Sequence, residues 1–331
     1  MNYENIIDNV QLKNIYLGMS ENCNASCSFC YREFYTPKPK GFMSEGIFTS
    51  ILRQIRESNT IESVSLTVGE PTLHPQFDAF SKELNRDKTY KTTVVTNMSM
   101  AHKHIDSLMG YDGIVMSIEG HDKESYENLR KGLKWERVRE NVKMLDKYVK
   151  ANSKTSPLRK INFIVDKASK VKEFVNVWSD YTDIIMIDPM LPHTFWKEGK
   201  NELKKTSENL FSFSKSNKIV CTEPFYRLGV LADGSVKPCG TRMYEQKDYG
   251  NYSNLQDVFN EQKNILWLRN YREKNKMLGC KNCRHSLEVD TNEWQNLVDE
   301  HKDLILNKNV VFAKGLMEVN GGTWEKQNNA V

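Results

Sequence analysis

Three cysteines stand close together near the start of the chain: Cys23, Cys27 and Cys30. Thiolates this densely placed on one loop suit a multi-iron cluster. Three ligands leave one iron of a four-iron cluster open, and an open iron can chelate a small molecule. A zinc site usually takes four ligands, with the second pair a dozen or more residues from the first. No fourth Cys or His follows nearby, so the spacing favours iron over zinc.

Four further cysteines lie late in the chain, at Cys221, Cys239, Cys280 and Cys283. The segment around Asp233 and Gly234, which leads to the second of them, predicts a β-hairpin, because Asp-Gly favours a tight turn. The last two form a Cys-x2-Cys knuckle. By spacing alone, this group is compatible with a zinc site as well as with an iron–sulfur cluster.

The composition is that of an ordinary globular protein. Its 331 residues carry a formal net charge of only +4, which does not demand nucleic acid as a partner. The first 14 residues lack the features of a signal peptide, and no apolar run is long enough to span a membrane. An odd number of cysteines argues against a disulfide scaffold. We therefore expect a cytoplasmic location.

Short apolar runs alternate with amphipathic segments from about residue 13 to 190, which predicts repeated βα units with a parallel sheet. Six units are too few for a full eight-stranded barrel, so we predict a partial (β/α)6 TIM-like barrel whose site lies at the C-terminal ends of the strands. The predicted strands are Asn14–Met19, Ser63–Val68, Thr92–Thr96, Gly113–Ile118, Ile161–Val165 and Ile184–Ile187. The predicted helices are Glu45–Glu57, Phe77–Leu84, Trp135–Lys150, Val171–Ser179 and, near the end, Asn292–Leu306.

The predicted organisation has four parts. A short N-terminal segment (1–12) precedes the barrel (13–200). A small iron–sulfur subdomain built from a β-hairpin and a helix follows (201–290), and a C-terminal helix and tail (291–331) end the chain.

The early cysteines form Cys-x3-Cys-x2-Cys with Phe29 before the last one, and this pattern resembles the radical S-adenosylmethionine (radical SAM) enzymes. Val68-Gly69-Glu70-Pro71 resembles their Gly-Gly-Glu-Pro motif, with Val68 in place of the first glycine. Thr96-Asn97-Met98 resembles their Thr-Asn-Gly element, with Met98 in place of glycine. The resemblance implies that a 4Fe–4S cluster is bound by the three cysteines. It implies that SAM is held by Phe29, Gly69, Glu70, Asn97, Ser117 and Arg130.

The late cysteines, with Asp-Gly-x-Val-x-Pro-Cys and Gly250-Asn251-Tyr252, resemble the SPASM/twitch extension of these enzymes. This resemblance implies that all four late cysteines hold an auxiliary 4Fe–4S cluster. With no cysteine left for another cluster, the extension looks like the shorter twitch form. The cysteine layout is similar to that of a family member that oxidises an aminocyclitol alcohol.

The resemblance implies reductive cleavage of SAM to a 5′-deoxyadenosyl radical, which abstracts hydrogen from a small sugar- or cyclitol-like substrate, with the auxiliary cluster accepting an electron. A flavodoxin or ferredoxin would supply the first electron. Only about a dozen residues precede the first strand, so we expect no peptide-recognition domain within this chain, although such a domain can be a separate protein. No cysteine is left to return a hydrogen atom, although Tyr226 or Tyr244 could take that role. A peptide maturase and a non-enzymatic zinc or electron-transfer protein stay open as alternatives. The candidate catalytic residues, each also explicable structurally, are Glu119, His193, Tyr226, Arg227 and Arg242.

Overall fold

The structure is a computed structural model. It describes residues 10–30, 32, 41–86, 88–152, 157–190, 213–215, 223–238, 250–267, 287–289 and 291–312.

The β-strands are short and are spread along the whole described chain. In chain order they are β1 (Asn14–Leu17), β2 (Ser26–Cys27), β3 (Ser63–Leu66), β4 (Lys91–Thr96), β5 (Gly113–Ser117), β6 (Arg130–Lys131), β7 (Leu158–Val165), β8 (Ile184–Pro189), β9 (Phe213–Lys215), β10 (Arg227–Val230), β11 (Val236–Lys237), β12 (Leu287–Val289) and β13 (Val310–Phe312).

The α-helices alternate with the longer strands. They are α1 (Glu45–Glu57), α2 (Phe77–Asn85), α3 (Ile105–Leu108), α4 (Lys123–Leu129), α5 (Trp135–Ala151), α6 (Val171–Trp178), α7 (Leu255–Trp267), α8 (Thr291–Glu300) and α9 (Lys302–Asn307). Short 3-10 helices occur at Pro71–Leu73, Ala101–Lys103, Ser179–Tyr181 and Glu223–Phe225.

The chain divides into two compact units, each built from separate stretches of sequence. The first consists of Met1–Cys23, Pro39–Val95 and Val220–Cys283, and the second of Asn24–Lys38, Thr96–Ile219 and Arg284–Val331.

The first unit contains a mostly parallel sheet in the order β11-β10-β1-β3-β4. Strand β1 pairs in parallel with β10 and β3, while β10 and β11 form an antiparallel hairpin. Helix α1 begins at the N-cap Ser44, whose hydroxyl accepts a hydrogen bond from the Ile47 N–H. Its residues Phe48, Ile51 and Ile55 are buried at helical spacing, which places one apolar face in the core.

The second unit contains a parallel sheet in the order β5-β7-β8-β13. Two antiparallel pairs, β2 with β6 and β9 with β12, accompany it. The core here is aromatic: Phe163 of β7 stacks on Phe174 of α6 with ring centres 3.7 Å apart. The indole N–H of buried Trp178 donates to the Gly120 carbonyl at 2.9 Å, which fixes the chain just after β5.

All six predicted strands are present, with ends that differ by a few residues, and the four predicted barrel helices are present too. The hairpin around Asp233 is confirmed by the antiparallel pairing of β10 with β11, and Gly234 takes a positive φ of +83° in its turn. In the described part of the chain, five further strands were not predicted: β2, β6, β9, β12 and β13. Their two or three residues are too few to show a periodic pattern.

The prediction of a single C-terminal helix over Asn292–Leu306 is wrong. The structure has two helices, α8 and α9, separated at His301. The backbone of His301 leaves the helical conformation with ψ at 24°, and its ring lies 2.9 Å from the Leu297 carbonyl, which it caps. Among the described residues, no helix is both long and apolar enough to cross a membrane.

Candidate functional site

Two backbone hydrogen bonds hold the early cysteine loop. Cys27 is buried, whereas Cys23 and Cys30 are partly exposed. Within the second unit, the Cys30 N–H donates to the Cys27 carbonyl at 3.1 Å, and the Ser28 N–H donates to the Leu129 carbonyl at 3.0 Å. These bonds place the last two cysteines of the motif in a tight turn against the end of α4.

The antiparallel pair β2–β6 sets the side chain of Cys27 directly opposite that of Arg130. Residues opposite each other in an antiparallel pair project on the same face. Nη1 of Arg130 accordingly lies 3.5 Å from the Cys27 sulfur, to which it donates. The guanidinium carbon also lies 5.4 Å from the ring centre of Phe29. The predicted site residues Phe29 and Arg130 are thus brought together with a predicted cluster ligand.

Glu119, one of the candidate bases, is fully buried and forms an ion pair with Nε of Arg130. Burial raises the pKa of Glu119, and the charge and hydrogen bond of Arg130 oppose that rise. Burial also acts to lower the pKa of Arg130, but the adjacent Glu119 carboxylate more than offsets this, so the guanidinium stays charged. The Glu119 carboxylate thus holds the Arg130 guanidinium in place, and its role as a catalytic base stays a prediction.

Asn97 anchors the cysteine loop from the end of β4. Its Oδ1 accepts from the Ser99 N–H at 2.9 Å, and its Nδ2 donates to Asn24 Oδ1 at 3.0 Å. Asn24, directly after Cys23, donates in turn to the Ser99 hydroxyl at 2.9 Å. This closed set of amide and hydroxyl contacts gives Asn97 a positioning role that the sequence motif did not reveal.

Met98 takes the left-handed backbone conformation, with φ at +65°, that the family's glycine would adopt without strain. The side chain of Asn141, buried on α5, donates to the carbonyls of Met98 and Ser99 at 2.7 and 3.0 Å. These bonds hold the strained turn. Asn24, Ser99 and Asn141 were all missed by sequence reasoning, and the one available signal was a polar residue on the apolar face of α5.

In the first unit, Gly69 lies where only glycine fits. Its φ is +60°, and a Cβ at this position would come within 2.2 Å of the Ser20 carbonyl oxygen and 2.7 Å of that of Asn22. Val68, just before it, also has a positive φ, +72°, which is an outlier for a β-branched residue. Two consecutive residues, Val68 and Gly69, therefore have the positive φ values that glycines adopt readily, although the first of them is not glycine.

Glu70 is buried and locally bonded within the same turn. Its Oε1 accepts hydrogen bonds from the N–H and the hydroxyl of Thr72, at 3.2 and 2.6 Å. Its own N–H donates to the Asn22 carbonyl at 2.8 Å. The carboxylate thus caps the 3-10 helix Pro71–Leu73 and fixes the turn against the segment that leads to Cys23.

Ser117 ends β5 and is half-buried, in register with Asn162 of β7. It stands at the C-terminal end of the sheet of the second unit, as predicted. Two residues further along lies Glu119.

Two other catalytic candidates, Tyr226 and Arg227, have structural partners in the first unit. The Tyr226 hydroxyl donates to Glu223 at 2.6 Å, and Arg227 forms an ion pair with the same carboxylate. The Arg227 guanidinium lies 4.3 Å from the ring centre of Tyr16. Burial, followed by the charge of Glu223, raises the pKa of Tyr226. These contacts show what positions both side chains, and their catalytic role stays a prediction.

The remaining predicted site residues lie outside the described residues. They are His193, Arg242, Cys221, Cys239, Cys280 and Cys283. Within the described part of the chain, no three His, Cys, Asp or Glu side chains are arranged as a metal site. The assignment of all seven cysteines as cluster ligands stays a prediction.

The described residues fit an iron–sulfur cluster and a charged cofactor on chemical grounds. Cys27 and Cys30 offer thiolates, and a guanidinium donates to one of them. Oε1 of Glu119 is buried and has no hydrogen-bond partner among the described residues, so an acceptor is available for a polar ligand.

Two protein-family profiles match this chain. The Radical SAM superfamily profile matches residues 17–158, and the SPASM profile, described as an iron–sulfur cluster-binding domain, matches residues 221–284. The chain contains a radical SAM domain and a SPASM domain. It has the partial-barrel α/β fold of that family, and its cofactors are SAM and 4Fe–4S clusters.

Curated relatives of this radical SAM protein are distant. A probable GTP 3′,8-cyclase of Methanococcus maripaludis is 21% identical over 292 residues, which cover 79% of this chain and 93% of the relative. An uncharacterised protein of Methanocaldococcus jannaschii is also 21% identical, over 261 residues, which cover 75% of this chain and 84% of the relative.

Solved structures share the fold of this radical SAM protein. Streptococcus suis SuiB superimposes with a TM-score of 0.59 at 19% identity, covering 83% of this chain and 71% of SuiB. In its SAM-bound structure the matched share of SuiB is 66%. The enzyme anSMEcpe with bound AdoMet gives 0.59 at 17% identity, covering 89% and 98%. BtrN in complex with AdoMet and 2-DOIA gives 0.54 at 16% identity, covering 82% and 92%.

Proposed function

We propose that this radical SAM protein is an oxidoreductase that removes hydrogen from an alcohol- or amine-bearing carbon of a small sugar- or cyclitol-like molecule. The observation that carries the proposal is the cysteine inventory. If Cys23, Cys27 and Cys30 bind the first cluster and the four late cysteines bind the second, all seven cysteines are used. None is left to return a hydrogen atom from a thiol, as a radical epimerase of that kind would need.

The electron balance gives the late cysteines a function. When bound, SAM would supply, with an electron from the first cluster, the radical chemistry that removes one hydrogen atom from the substrate. Oxidation of a C–H(OH) group to C=O also releases one proton and one further electron. Four thiolates at Cys221, Cys239, Cys280 and Cys283 leave no iron open to substrate, so they would hold a cluster suited to accept that electron.

By resemblance to the family motifs, six residues are proposed as contacts of SAM. In the second unit these are Ser117, Asn97, Phe29 and Arg130. A guanidinium has five N–H groups, and the contacts of Arg130 with Glu119 and Cys27 use two of them. Further N–H groups of Arg130 are proposed to bind the carboxylate of SAM. In the first unit, Gly69 and Glu70 supply bare backbone and a carboxylate for the SAM amino group. Both residues are fixed by local contacts.

A second candidate function is a peptide maturase. SuiB has been solved with its precursor peptide SuiA, and anSMEcpe with AdoMet and the Cp18Cys peptide. BtrN, solved with 2-DOIA, is the small-molecule counterpart. All three share the fold with this chain, so fold likeness alone does not choose between peptide and small-molecule substrates.

The reductant is proposed to be a flavodoxin or ferredoxin, because each turnover begins with delivery of one electron. We also propose a cytoplasmic location, since seven cysteines committed to clusters need reducing conditions.

The experiment that tests the substrate class is deuterium transfer. The protein is reconstituted anaerobically with iron and sulfide, then incubated with SAM, dithionite and aminocyclitols or sugars deuterated at their carbinol carbons. Deuterium in the 5′-deoxyadenosine, together with a ketone product, is the expected result. Transfer from a deuterated peptide and from none of the small molecules would overturn the proposal in favour of the maturase.

Two variants separate radical chemistry from background SAM decay. Cys27→Ala removes a predicted ligand and should abolish 5′-deoxyadenosine formation. Ser28→Ala alters the exposed neighbour of Cys27 and should leave it within about twofold of wild type.

A further inference from the structure

The contact between Arg130 and Cys27 has a consequence apart from SAM binding. Nη1 of Arg130 donates to the sulfur at 3.5 Å, and both side chains are buried. A cationic donor on a sulfur favours the state that carries more negative charge. The reduction potentials of iron–sulfur clusters respond to net charge and to hydrogen bonds on their sulfurs.

Three contacts orient the guanidinium. The β2–β6 pairing places the backbone of Arg130 opposite that of Cys27, and the Glu119 carboxylate binds Nε of the guanidinium. The guanidinium carbon lies over the Phe29 ring, 5.4 Å from its centre. The capping box of α4, in which Asp122 and Ser125 bond reciprocally, fixes the helix that ends just before Arg130. Because these contacts hold the Arg130 guanidinium, its position relative to the Cys27 sulfur should not change when the charge on that sulfur changes.

Glu119 opposes the charge of Arg130 but does not cancel it at the sulfur. The carboxylate binds Nε, whereas the N–H that faces Cys27 is on Nη1. In the Glu119–Arg130 ion pair, the positive guanidinium is therefore the group nearer to the Cys27 sulfur.

We propose that Arg130 sets the reduction potential of the cluster bound through Cys27, by stabilising its reduced form with a charged hydrogen bond to that ligand sulfur. The step concerned is a one-electron reduction in which no bond forms or breaks, with dithionite as the electron donor. The proposal extends the function proposed above but does not depend on which substrate is oxidised, because the potential is measured with no substrate present.

The test is a redox titration of the full, reconstituted chain without SAM, followed by electron paramagnetic resonance. SAM added to a parallel reduced sample identifies the signal of the SAM-binding cluster by its change. Arg130→Gln should lower the ratio of reduced to oxidised cluster about tenfold at a given solution potential. For a one-electron couple this corresponds to a shift of about 59 mV to more negative potential.

Lys131→Gln is the matched control. Lys131 is the next residue of β6 and carries the same charge, but it is exposed and pairs with Ser26 on the opposite face of the ladder. The control should titrate like wild type. Equal midpoints for Arg130→Gln and wild type, or equal shifts in both variants, would overturn the proposal.

Arg130→Lys keeps the test decisive if Arg130→Gln assembles no cluster. Lysine retains the charge but lacks the planar fork that binds Glu119 and Cys27 at once. Its midpoint should fall below that of wild type, at equal iron and sulfide content. A wild-type midpoint in Arg130→Lys, with Arg130→Gln unable to bind iron, would show that the charge matters for assembly alone and would contradict the proposal.

Discussion

Among single residues, Val68 and Met98 show that a non-glycine residue can take the left-handed backbone conformation that glycine usually supplies. Both replace glycines of motifs that this sequence otherwise matches, and both take positive φ values, +72° and +65°. A left-handed non-glycine residue costs about 1–3 kcal/mol. Surrounding contacts offset this cost: the side chain of Val68 packs with Leu231, and Asn141 binds the carbonyl of Met98.

Gly69 should not tolerate a side chain. Gly69→Ala would place a Cβ 2.2 Å from a backbone oxygen at a positive φ, so we expect a loss of unfolding free energy. The backbone conformation alone would cost about 1–3 kcal/mol, and the clash adds to this. Urea unfolding of the cluster-free chain, followed by circular dichroism, measures the loss.

Gly46→Ala is the matched control for that substitution. A Cβ at Gly46, in the first turn of α1, meets nothing within 4 Å. Alanine there should stabilise the chain by up to about 1 kcal/mol, because glycine is a poor helix former. Equal changes in unfolding free energy for Gly69→Ala and Gly46→Ala would contradict the close backbone packing at Gly69.

At the scale of elements, His74 joins the segment before α1 to the segment before α2 through both ring nitrogens. Its Nδ1 accepts from the Gln76 N–H at 3.0 Å, so its Nε2 carries the proton that is donated to the Met43 carbonyl at 2.9 Å. Burial lowers the pKa of His74, while the bond to Met43 acts in the opposite direction. A second proton would go to Nδ1 and break the bond to Gln76.

This geometry predicts that stability falls on acidification. Because the pKa of His74 is lower in the folded chain, the unfolded chain binds more protons once the pH drops below the ordinary value of about 6.5. Unfolding free energy should therefore decrease from pH 7 to pH 5, and less steeply in His74→Gln. Urea titrations of both proteins at several pH values measure the two slopes.

Between pH 7.5 and 8.5 the histidine is neutral in both states, so wild type and His74→Gln should show parallel pH dependence there. A slope below pH 6.5 that is the same in both proteins would assign the acid sensitivity to other groups.

At the scale of the whole molecule, the division of seven cysteines into three and four predicts the iron content. The reconstituted chain should bind about eight irons, four for each 4Fe–4S cluster. The triple variant Cys23→Ala, Cys27→Ala, Cys30→Ala should keep about half of that iron and lose SAM cleavage. Iron and zinc are measured by plasma mass spectrometry and sulfide by colorimetry.

The complementary variant, Cys280→Ala with Cys283→Ala, should lose the other half of the iron and still cleave SAM. Zinc in place of iron at the late cysteines, after anaerobic purification, would contradict the assignment of an auxiliary cluster and restore the zinc alternative.

Local sequence patterns were enough to predict the cofactors and the class of fold. Closely spaced thiols, a Gly-Glu-Pro turn after a strand and alternating βα units are local patterns, so they can be recognised without coordinates. The six strands lie where periodicity placed them, and Gly69 lies where close backbone approach demands glycine.

The partners of the polar side chains, by contrast, became known only from the folded structure. Nothing local in the sequence says that Arg130 faces Cys27, 103 positions earlier, or that Glu119 forms an ion pair with Arg130. Nor does it say that Asn97 ties down Asn24, or that β13 completes the sheet of the second unit. Such contacts depend on register and on burial of residues distant in the chain, and these are set only when the whole core packs.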